Sequence, residues 1–309
     1  MTDFDHDPGS DRAAGLPRDD GQNLRDKLNC LVCEGAYGTS NLPGLKQCQN
    51  CGFISADMSL SDEQLGSLYG EDYFHGDEYR NYVSEQDSLQ DNFRRRLRTL
   101  HEIIPDLGDK SVFEIGCAYG FFLDEVGKDV RCASGIDISV EGTRHAREVL
   151  GADAMTGNYL AYSPPEQVDL VAMWDTIEHL PRPDLFIAHA SRHLREGGHI
   201  AVTTGDIGSL NARLRGKRWR MIHPPTHLHY FSVSTLTRLL ERNGFEVVHA
   251  SHPGNARNLR SVLHFVLELR LGWKRLYRLI SGWRILDLSI TMNLFDIMFV
   301  VARRKPSRP

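Results

Sequence analysis

The chain has 309 residues, of which 41% are hydrophobic and 25% are charged, so it can form one full hydrophobic core and a second, smaller module. Its net charge of −5 and its pI near 6.3 argue against a protein that binds mainly by neutralising the phosphates of a nucleic acid. No window approaches the ~18 consecutive apolar residues of a membrane-spanning helix, and we predict a soluble, cytoplasmic protein.

The first part of the sequence divides into a polar tail and a cysteine-rich segment. Residues 1–22 are rich in Asp, Gly and Pro, which predicts a disordered tail. Residues 23–56 contain cysteines in the spacing C-x2-C-x14-C-x2-C, and the four are Cys30, Cys33, Cys48 and Cys51. Two C-x2-C turns can present four thiolates to one tetrahedral zinc ion, so we predict a small zinc ribbon with a structural metal. Four reduced thiols or two disulfides are the alternative.

A helical connector or lid is predicted over residues 57–105. Ser59–Gly70 begins with the helix-start signal Ser-Asp-Glu, and Gln86–Ile104 repeats apolar side chains along one face. Because the chain is acidic overall, we interpret the arginines of the second helix as a solvated face rather than a nucleic-acid contact. These arginines are Arg94, Arg95, Arg96 and Arg98.

Strands and helices alternate over residues 106–309, which predicts the main domain. The predicted strands are Val112–Ile115, Cys132–Ile136, Asp153–Thr156, Val168–Trp174, His199–Thr203, Phe245–Ala250 and Ile297–Ala302. The predicted helices are Gly120–Val126, Glu141–Leu150, Asp184–Leu194 and Ser232–Asn243. Continuous apolar strands separated by helices predict an α/β fold with a doubly wound, seven-stranded, mostly parallel sheet covered on both faces.

The insertion over residues 255–293 is rich in leucine, isoleucine, arginine and lysine. Its pattern predicts two amphipathic, basic helices. Basic residues near Trp273 and Trp283 suit a peripheral contact with the inner membrane surface or with a lipid-linked acceptor. We favour the alternative, a helical cap or the interface of a homodimer, because hydrophobic patches serve protein partners more often than bilayers.

The ends of the first two strands of the main domain carry the strongest functional signal. The first strand leads into the turn Gly116-Cys117-Ala118-Tyr119-Gly120, and the second ends on Asp137, twenty-one residues after Gly116. An α/β sheet holds adenosine-containing ligands in this way. A dinucleotide site has G-x-G-x-x-G instead. Glu114, just before the turn, would repel a pyrophosphate but could bind the amino group of an amino-acid moiety.

This pattern resembles motif one of the class I S-adenosylmethionine-dependent methyltransferases, E/D-x-G-x-G-x-G, with Ala118 in place of the middle glycine. The resemblance continues after the third strand, along the fourth and before the fifth, in Gly157–Leu160, Val168–Leu180 and Arg195–Ile200. Together with the cysteine spacing and the segment Pro224–Ser232, it points to bacterial methyltransferases that have an N-terminal zinc-binding module. Members often act on sugars, lipid-linked glycans or natural products.

The resemblance implies that S-adenosylmethionine is the cofactor, held at the strand ends with a structural Zn²⁺ elsewhere. Asp137 stands where the family's acidic residue accepts hydrogen bonds from both ribose hydroxyls, and Asn158 stands at the adenine-binding turn. The implied donor-binding residues are Glu114, Gly116, Cys117, Gly120, Asp137, Ile138, Asn158, Tyr159, Trp174 and Asp175.

Histidines after the fourth and fifth strands are the candidate catalytic residues that act on the acceptor. A base that takes the hydroxyl proton helps methyl transfer to oxygen, and histidine changes protonation near neutral pH. We rank His227 and His179 first, as bases or substrate-orienting groups, and His229 after them. A structural bond to a backbone carbonyl, or a helix cap, is the alternative role for each.

The function predicted from these features is O-methylation of a hydroxyl on a sugar, glycolipid or secondary metabolite. C-methylation of a deoxysugar is the nearest alternative, because the histidines could also supply the base that makes an enolate. The negative net charge disfavours an rRNA methyltransferase. A non-catalytic zinc-ribbon scaffold is disfavoured because Glu114, Gly116, Gly120 and Asp137 are all present.

Overall fold

The structure, a computed structural model, describes residues 29–58, 86–259, 263, 264, 267, 272–280, 283 and 288–306. The predicted tail over residues 1–22, the predicted helix Ser59–Gly70 and part of the insertion lie outside the described residues. Within those ranges, no helix is both long enough and apolar enough to span a membrane.

Strands and helices alternate through the middle of the chain, as the sequence predicts. The strands are β1 (Tyr37–Thr39), β2 (Leu45–Cys48), β3 (Ile54–Ala56), β4 (Ser111–Ile115), β5 (Cys132–Asp137), β6 (Asp153–Thr156), β7 (Val168–Trp174), β8 (Leu194–Gly205), β9 (His229–Tyr230), β10 (Phe245–Ser251), β11 (Asn255–Asn258), β12 (Ser289–Met292) and β13 (Ile297–Arg304). The α-helices are α1 (Gln86–Ile103), α2 (Phe121–Val126), α3 (Val140–Glu148), α4 (Pro183–His193), α5 (Leu210–Arg215), α6 (Val233–Arg242) and α7 (Lys274–Ile280).

Seven strands form the central sheet in the order β10-β13-β8-β7-β4-β5-β6. The pairs among β4 to β8 are parallel, whereas β13 is antiparallel to both β8 and β10. The predicted α/β fold with a seven-stranded, mostly parallel sheet is therefore confirmed. Because parallel strands end at the same edge, the loops after β4, β5, β6 and β7 meet at one side of the molecule.

Helices cover both faces of the central sheet. On one face, α1 and α2 bury Phe93 and Phe122 against Trp174. On the other face, α4 and α6 bury Ile187 and Leu236. Burial of such side chains contributes about 1.5–3 kcal/mol each. Because β7 lies in the middle of the sheet, the last five residues of this strand are all buried, which explains their continuous apolar sequence.

Strand β8 departs from its predicted bounds. It begins at Leu194 rather than at His199, so Gly197 and Gly198 lie within the strand. Gly197 has a φ of 74°, in the left-handed region that glycine adopts without strain. The pairing of β7 with β8 also shifts register between Val168 and Leu170. The glycines therefore produce a local irregularity in the strand instead of ending it.

The insertion differs from the predicted pair of helices at both of its ends. Strands β11 and β12 pair with each other in antiparallel fashion, and α7 lies between them along the chain. The Asn92 side chain, on α1, accepts a hydrogen bond from the Ala256 backbone N–H (2.6 Å) and donates one to its carbonyl oxygen (3.1 Å). The Asn92 amide thus pairs with the backbone N–H and carbonyl groups of Ala256 as a neighbouring strand would, which favours extended backbone there.

The cysteine-rich segment shares a sheet with the main domain. Strands β1, β2 and β3 are joined by β9, which follows β8 along the chain and pairs with β3. The Ala56 N–H also donates to the Leu228 carbonyl oxygen at 2.8 Å. The Phe53 ring packs on Phe231 with 4.9 Å between ring centroids. The segment is therefore built onto the loop that carries the predicted catalytic histidines.

Candidate active site

The turn after β4 requires glycine at two positions. Gly116 and Gly120 have φ values of 79° and 80°, in the left-handed region. A Cβ atom on Gly116 would lie 2.6 Å from side-chain atoms of Thr176, and one on Gly120 would lie 2.6 Å from the Ala146 side chain. Ala118, which replaces the middle glycine, also has a positive φ of 43°. We call the space beside this turn, at the carboxyl ends of β4 and β5, the crevice, because parallel sheets bind ligands at that edge.

The Asp137 carboxylate fixes this turn against the end of β5. One of its oxygens accepts a hydrogen bond from the Ala118 N–H and the other accepts one from the Ser139 N–H, both at 2.8 Å. Burial raises the pKa of Asp137, and these backbone hydrogen bonds oppose the rise. Next to it, Ile138 is 50% exposed and offers an apolar surface beside the crevice. The two predicted residues therefore lie together at the strand end.

Glu114 is buried just below the turn and is only 3% exposed. Its Oε2 atom has no hydrogen-bond partner among the described residues. Burial first, and the nearby charge of Asp137 second, raise the pKa of Glu114 well above its usual range, while the Arg96 guanidinium opposes this rise. A buried carboxyl group with unused acceptor capacity is suited to a cationic group of a ligand.

Arg96 is a site residue that the sequence analysis misassigned. It is 6% exposed, so the interpretation of the whole arginine run as a solvated face is wrong at this position. Its guanidinium lies 5.1 Å from the centre of the Trp174 ring and its Nη2 donates to Asp175 Oδ2 at 3.3 Å. The sequence contained a signal, since Arg96 lies three residues after Phe93 and four before Leu100, on the apolar face of α1.

Trp174 and Asp175 end β7 at the same edge. Trp174 is buried, and its Nε1–H has no acceptor within the described part of the chain. Asp175 has a φ of 51°, which is unusual for a residue other than glycine and is typical of functional sites. Thr203 holds it there, because the Thr203 hydroxyl donates to Asp175 Oδ1 at 3.1 Å and its carbonyl accepts from the Asp175 N–H.

Three other predicted donor-binding residues have local structural roles. The exposed Asn158 accepts the Leu160 N–H through its side chain at 2.9 Å, so it caps a short helical turn. Tyr159 is buried in the core, where its hydroxyl lies 3.1 Å from Nδ1 of His193. The Cys117 side chain is buried above Gly135, and burial raises the pKa of its thiol. The side chains of Tyr159 and Cys117 are therefore both occupied in the core.

His179 and His227, from different loops, lie together beside Glu178. One ligand atom from each of the three residues can be chosen so that all lie within 4.8 Å of one another. His179 Nδ1–H donates to the Thr226 carbonyl at 2.9 Å, and His227 Nδ1–H donates to the Met221 carbonyl at 2.8 Å. Because a carbonyl only accepts, these bonds place the second nitrogen of each neutral ring, Nε2, in its basic form.

Burial sets the protonation of this cluster. It lowers the pKa of His179 to about 4 and that of His227 to about 2, so both imidazoles are neutral near neutral pH. Burial, with the charge of Asp175 next in importance, raises the pKa of Glu178 to about 8. The Glu178 side chain is 2% exposed, and neither carboxylate oxygen has a partner of normal hydrogen-bond geometry within the described ranges, although the Thr204 side chain and the Glu178 backbone oppose the rise in its pKa. Glu178 lies within the motif Val168–Leu180 but is not one of the residues predicted for the site.

His229, the third predicted catalytic histidine, is not brought to this cluster. It lies on β9, where Nδ1 is 3.1 Å from the Ser55 hydroxyl and its ring stacks on Phe53 at 5.6 Å. Burial lowers its pKa to about 4. Its contacts are those of a side chain that joins β9 to the cysteine-rich segment.

The four predicted metal-binding cysteines do lie together. Cys30 and Cys51 Sγ atoms are 3.5 Å apart, as are those of Cys33 and Cys48, and all four lie within 4.8 Å of one another. Zn–S bonds of about 2.3 Å in a tetrahedron place neighbouring sulfurs ~3.8 Å apart. Gly35 allows this approach, because a Cβ there would be 3.3 Å from two of the sulfurs. The arrangement can hold one zinc ion.

The family described as methyltransferase domain matches residues 86–250, which are more than half of the chain and include every crevice residue described above. An enzyme named ubiquinone biosynthesis O-methyltransferase, from Cupriavidus pinatubonensis, is 29% identical over 108 residues. That match covers 33% of this chain and 43% of the relative. This chain spans about half the length of the curated relatives that it matches.

Two solved structures have the same fold. Magnesium protoporphyrin IX methyltransferase from Synechocystis, solved with bound S-adenosylhomocysteine, has a TM-score of 0.51 and 14% identity, and the match covers 79% of this chain and all of that one. An S-adenosylmethionine-dependent methyltransferase from Thermotoga maritima has a TM-score of 0.50 and 17% identity, with 78% of this chain and all of that one covered. At such identities the likeness shows the fold alone.

Proposed function

Because the chain belongs to the methyltransferase domain family, we propose that it transfers the methyl group of S-adenosylmethionine to a hydroxyl of a small molecule. The observation that carries this proposal is the pair of buried carboxyl groups at the ends of β4 and β5. Glu114 keeps an oxygen without a partner at the glycine turn, and Asp137 holds that turn in place. This arrangement suits a ligand with an ammonium group and a ribose, and it disfavours a pyrophosphate.

The donor lies along the crevice from Glu114 to Ile138. Glu114 would bind its amino group, the backbone of the turn from Gly116 to Gly120 would contact its amino-acid part, and Asp137 would bind its ribose. Ile138 and Asn158, both exposed, flank the adenine. The positive charge of Arg96, held over Trp174, faces the same end of the crevice as Asp175.

The donor supplies an activated methyl group on a sulfonium, so this chain has only to bind, align and desolvate the partners. The acceptor lies against the loops after β7 and β8, next to Trp174, Asp175 and the histidine cluster. His179 and His227 orient the acceptor oxygen and prepare it for loss of its proton. Oxygen is preferred to carbon as the acceptor because similar proteins are named O-methyltransferases.

We assign the acceptor to the class of sugars, glycolipids and secondary metabolites. The positively charged insertion, with exposed Trp273, Trp283 and Leu279, supports an acceptor or surface that is at least partly apolar. The four cysteines hold a structural zinc ion. Its proposed effect is to stabilise β1 to β3 and, through their pairing with β9, the loop that carries His227.

The test is methyl transfer from carbon-13-labelled S-adenosylmethionine to members of each acceptor class. We expect the label on an oxygen of a phenol, sugar or lipid-linked sugar, identified by the chemical shift of the product methyl group in NMR. Label on carbon, with exchange of the neighbouring hydrogen into solvent, would establish the deoxysugar alternative instead. A protein that binds the donor but labels only rRNA fragments would refute the proposed acceptor class.

A further inference from the structure

We propose that Glu178, His179 and His227 form a second metal site, separate from the cysteine cluster, that binds a divalent transition-metal ion at the acceptor side of the crevice. The cation is proposed to coordinate the acceptor oxygen, and this second part rests on the proposed function. The proposal that an ion binds here does not rest on the proposed function, because it concerns only the geometry of the described residues.

The three side chains have the identity and spacing of metal ligands. Two imidazole nitrogens and one carboxylate oxygen lie within 4.8 Å of one another. Ligands bound to one ion at ~2.0–2.2 Å are separated by less than that value. Two histidines with one carboxylate suit zinc, iron(II) or manganese(II) and leave at least one coordination position for water or a substrate oxygen.

Both histidines are oriented as metal ligands usually are. A ligating imidazole normally donates its other N–H to a carbonyl or carboxylate, which fixes the ring and its tautomer. His179 donates to Thr226 and His227 donates to Met221, each through Nδ1 and each to a backbone carbonyl. A neutral ring that donates through Nδ1 carries its lone pair on Nε2, which is the tautomer of a histidine that coordinates a metal through Nε2.

The Glu178 carboxyl group is the second, independent observation. It is buried, and neither of its oxygens has a hydrogen-bond partner of normal geometry within the described residues. Burying such a group without a partner is strongly unfavourable, and a bound cation removes the penalty by supplying the missing opposite charge. Core packing gives no reason for a carboxyl group here, since glutamine or methionine would fill the same space.

The backbone holds the two ligand-bearing loops together. The Glu178 carbonyl oxygen accepts the N–H groups of Leu228 and His229, at 2.9 and 3.1 Å. The residue that supplies the carboxylate thus also fixes the segment that supplies His227. The His223 ring lies 3.9 Å from the His227 ring between centroids.

A cation at this position accounts for acceptor activation with balanced chemistry. Coordination lowers the pKa of the acceptor hydroxyl, which releases its proton to water. The oxygen then forms a bond to the methyl carbon as the sulfonium S–C bond breaks, with the electron pair going to sulfur. A hydroxyl next to a second oxygen, which can chelate the ion through both, is the acceptor chemistry that this site favours.

Cobalt substitution tests the site, because the absorption spectrum of bound Co²⁺ depends on which ligands surround it. The full chain is stripped of metal under reducing conditions and titrated with Co²⁺. We expect two ions per chain: one with the intense thiolate-to-metal bands of four cysteines, and one with weak ligand-field bands only. Glu178→Gln and His227→Ala should each retain the thiolate bands and lose the second ion. Cys48→Ser should lose the bands of the four-cysteine site.

Two results would overturn the metal site. One is a single cobalt ion per chain, fully accounted for by thiolate bands. The other is a second ion that persists in both Glu178→Gln, which keeps the shape of the side chain, and His227→Ala. S-adenosylhomocysteine binding, measured by calorimetry on the same samples, separates this failure from failure of the proposed function. If the ion binds as expected but its removal leaves acceptor turnover unchanged, the proposed coordination of the acceptor is wrong.

Discussion

Replacing Glu114 by glutamine should weaken donor binding and, at the same time, increase the free energy of unfolding. The carboxyl group is 3% exposed and its Oε2 has no partner among the described residues. A ligand ammonium group would therefore gain a charge-assisted hydrogen bond there. Glutamine has nearly the same shape, so Glu114→Gln removes the charge with little change in packing.

The loss of donor affinity follows from the value of one such bond. A hydrogen bond to a charged group contributes about 1.5–3 kcal/mol. At about 1.4 kcal/mol for each factor of ten, this predicts roughly 10- to 150-fold weaker binding of S-adenosylhomocysteine.

The gain in stability depends on pH with a definite sign. The pKa of Glu114 is raised in the folded state, so above the unfolded pKa of ~4.3 the folded protein holds a proton that the unfolded chain has lost. The wild type therefore loses up to about 1.4 kcal/mol of stability per pH unit as the pH rises toward the folded pKa. Glu114→Gln lacks this contribution, so its advantage in melting temperature should be small at acidic pH and should grow by roughly 2 °C per pH unit for a chain of 309 residues.

Calorimetry and thermal melts of the donor-free protein over a pH series provide the assay. Glu125→Gln is the matched control, because Glu125 is also buried but pairs with Arg94 and Lys128 away from the crevice. It should bind S-adenosylhomocysteine as the wild type does. Wild-type affinity in Glu114→Gln would refute the role of this carboxyl group in donor binding. An unchanged pH dependence of melting would refute its buried, proton-holding state.

Three further substitutions test the remaining parts of the site. Gly116→Ala should cost about 1–3 kcal/mol of stability and lower S-adenosylhomocysteine affinity more than tenfold, whereas Gly151→Ala, also at positive φ but with open space around it, should cost stability alone. Cys48→Ser should abolish binding of one zinc ion per chain in metal analysis and lower the melting temperature, while Cys132→Ser, at an exposed position, should change neither. His179→Ala should reduce acceptor turnover by roughly 100-fold or more with donor affinity unchanged, and full turnover would exclude it from the acceptor site.

The sequence was sufficient for the central sheet because its signals are local. Apolar runs such as Val168–Trp174 and start signals such as Ser232, which caps α6, fix each element without reference to the rest of the chain. Their order then determines a parallel sheet whose loops meet at one edge. The glycine turn and Asp137 were identified for the same reason.

The features that the sequence did not reveal depend on contacts between distant segments. Extended backbone at Ala256 depends on the side chain of Asn92, and β9 depends on β3, which lies far away along the chain. The burial of the Tyr159 side chain in the core could not be predicted, because a single turn is too short to show a repeat of apolar residues. Arg96 was recoverable, because the helical period places it on the apolar face.

Titration of the full chain with S-adenosylhomocysteine by calorimetry tests the donor site most directly. We predict binding of one molecule per chain, weakened more than tenfold in Gly116→Ala, with no heat from a nicotinamide dinucleotide under the same conditions. A chain that fails to bind S-adenosylhomocysteine, or that binds the dinucleotide in its place, would contradict the assignment of this crevice.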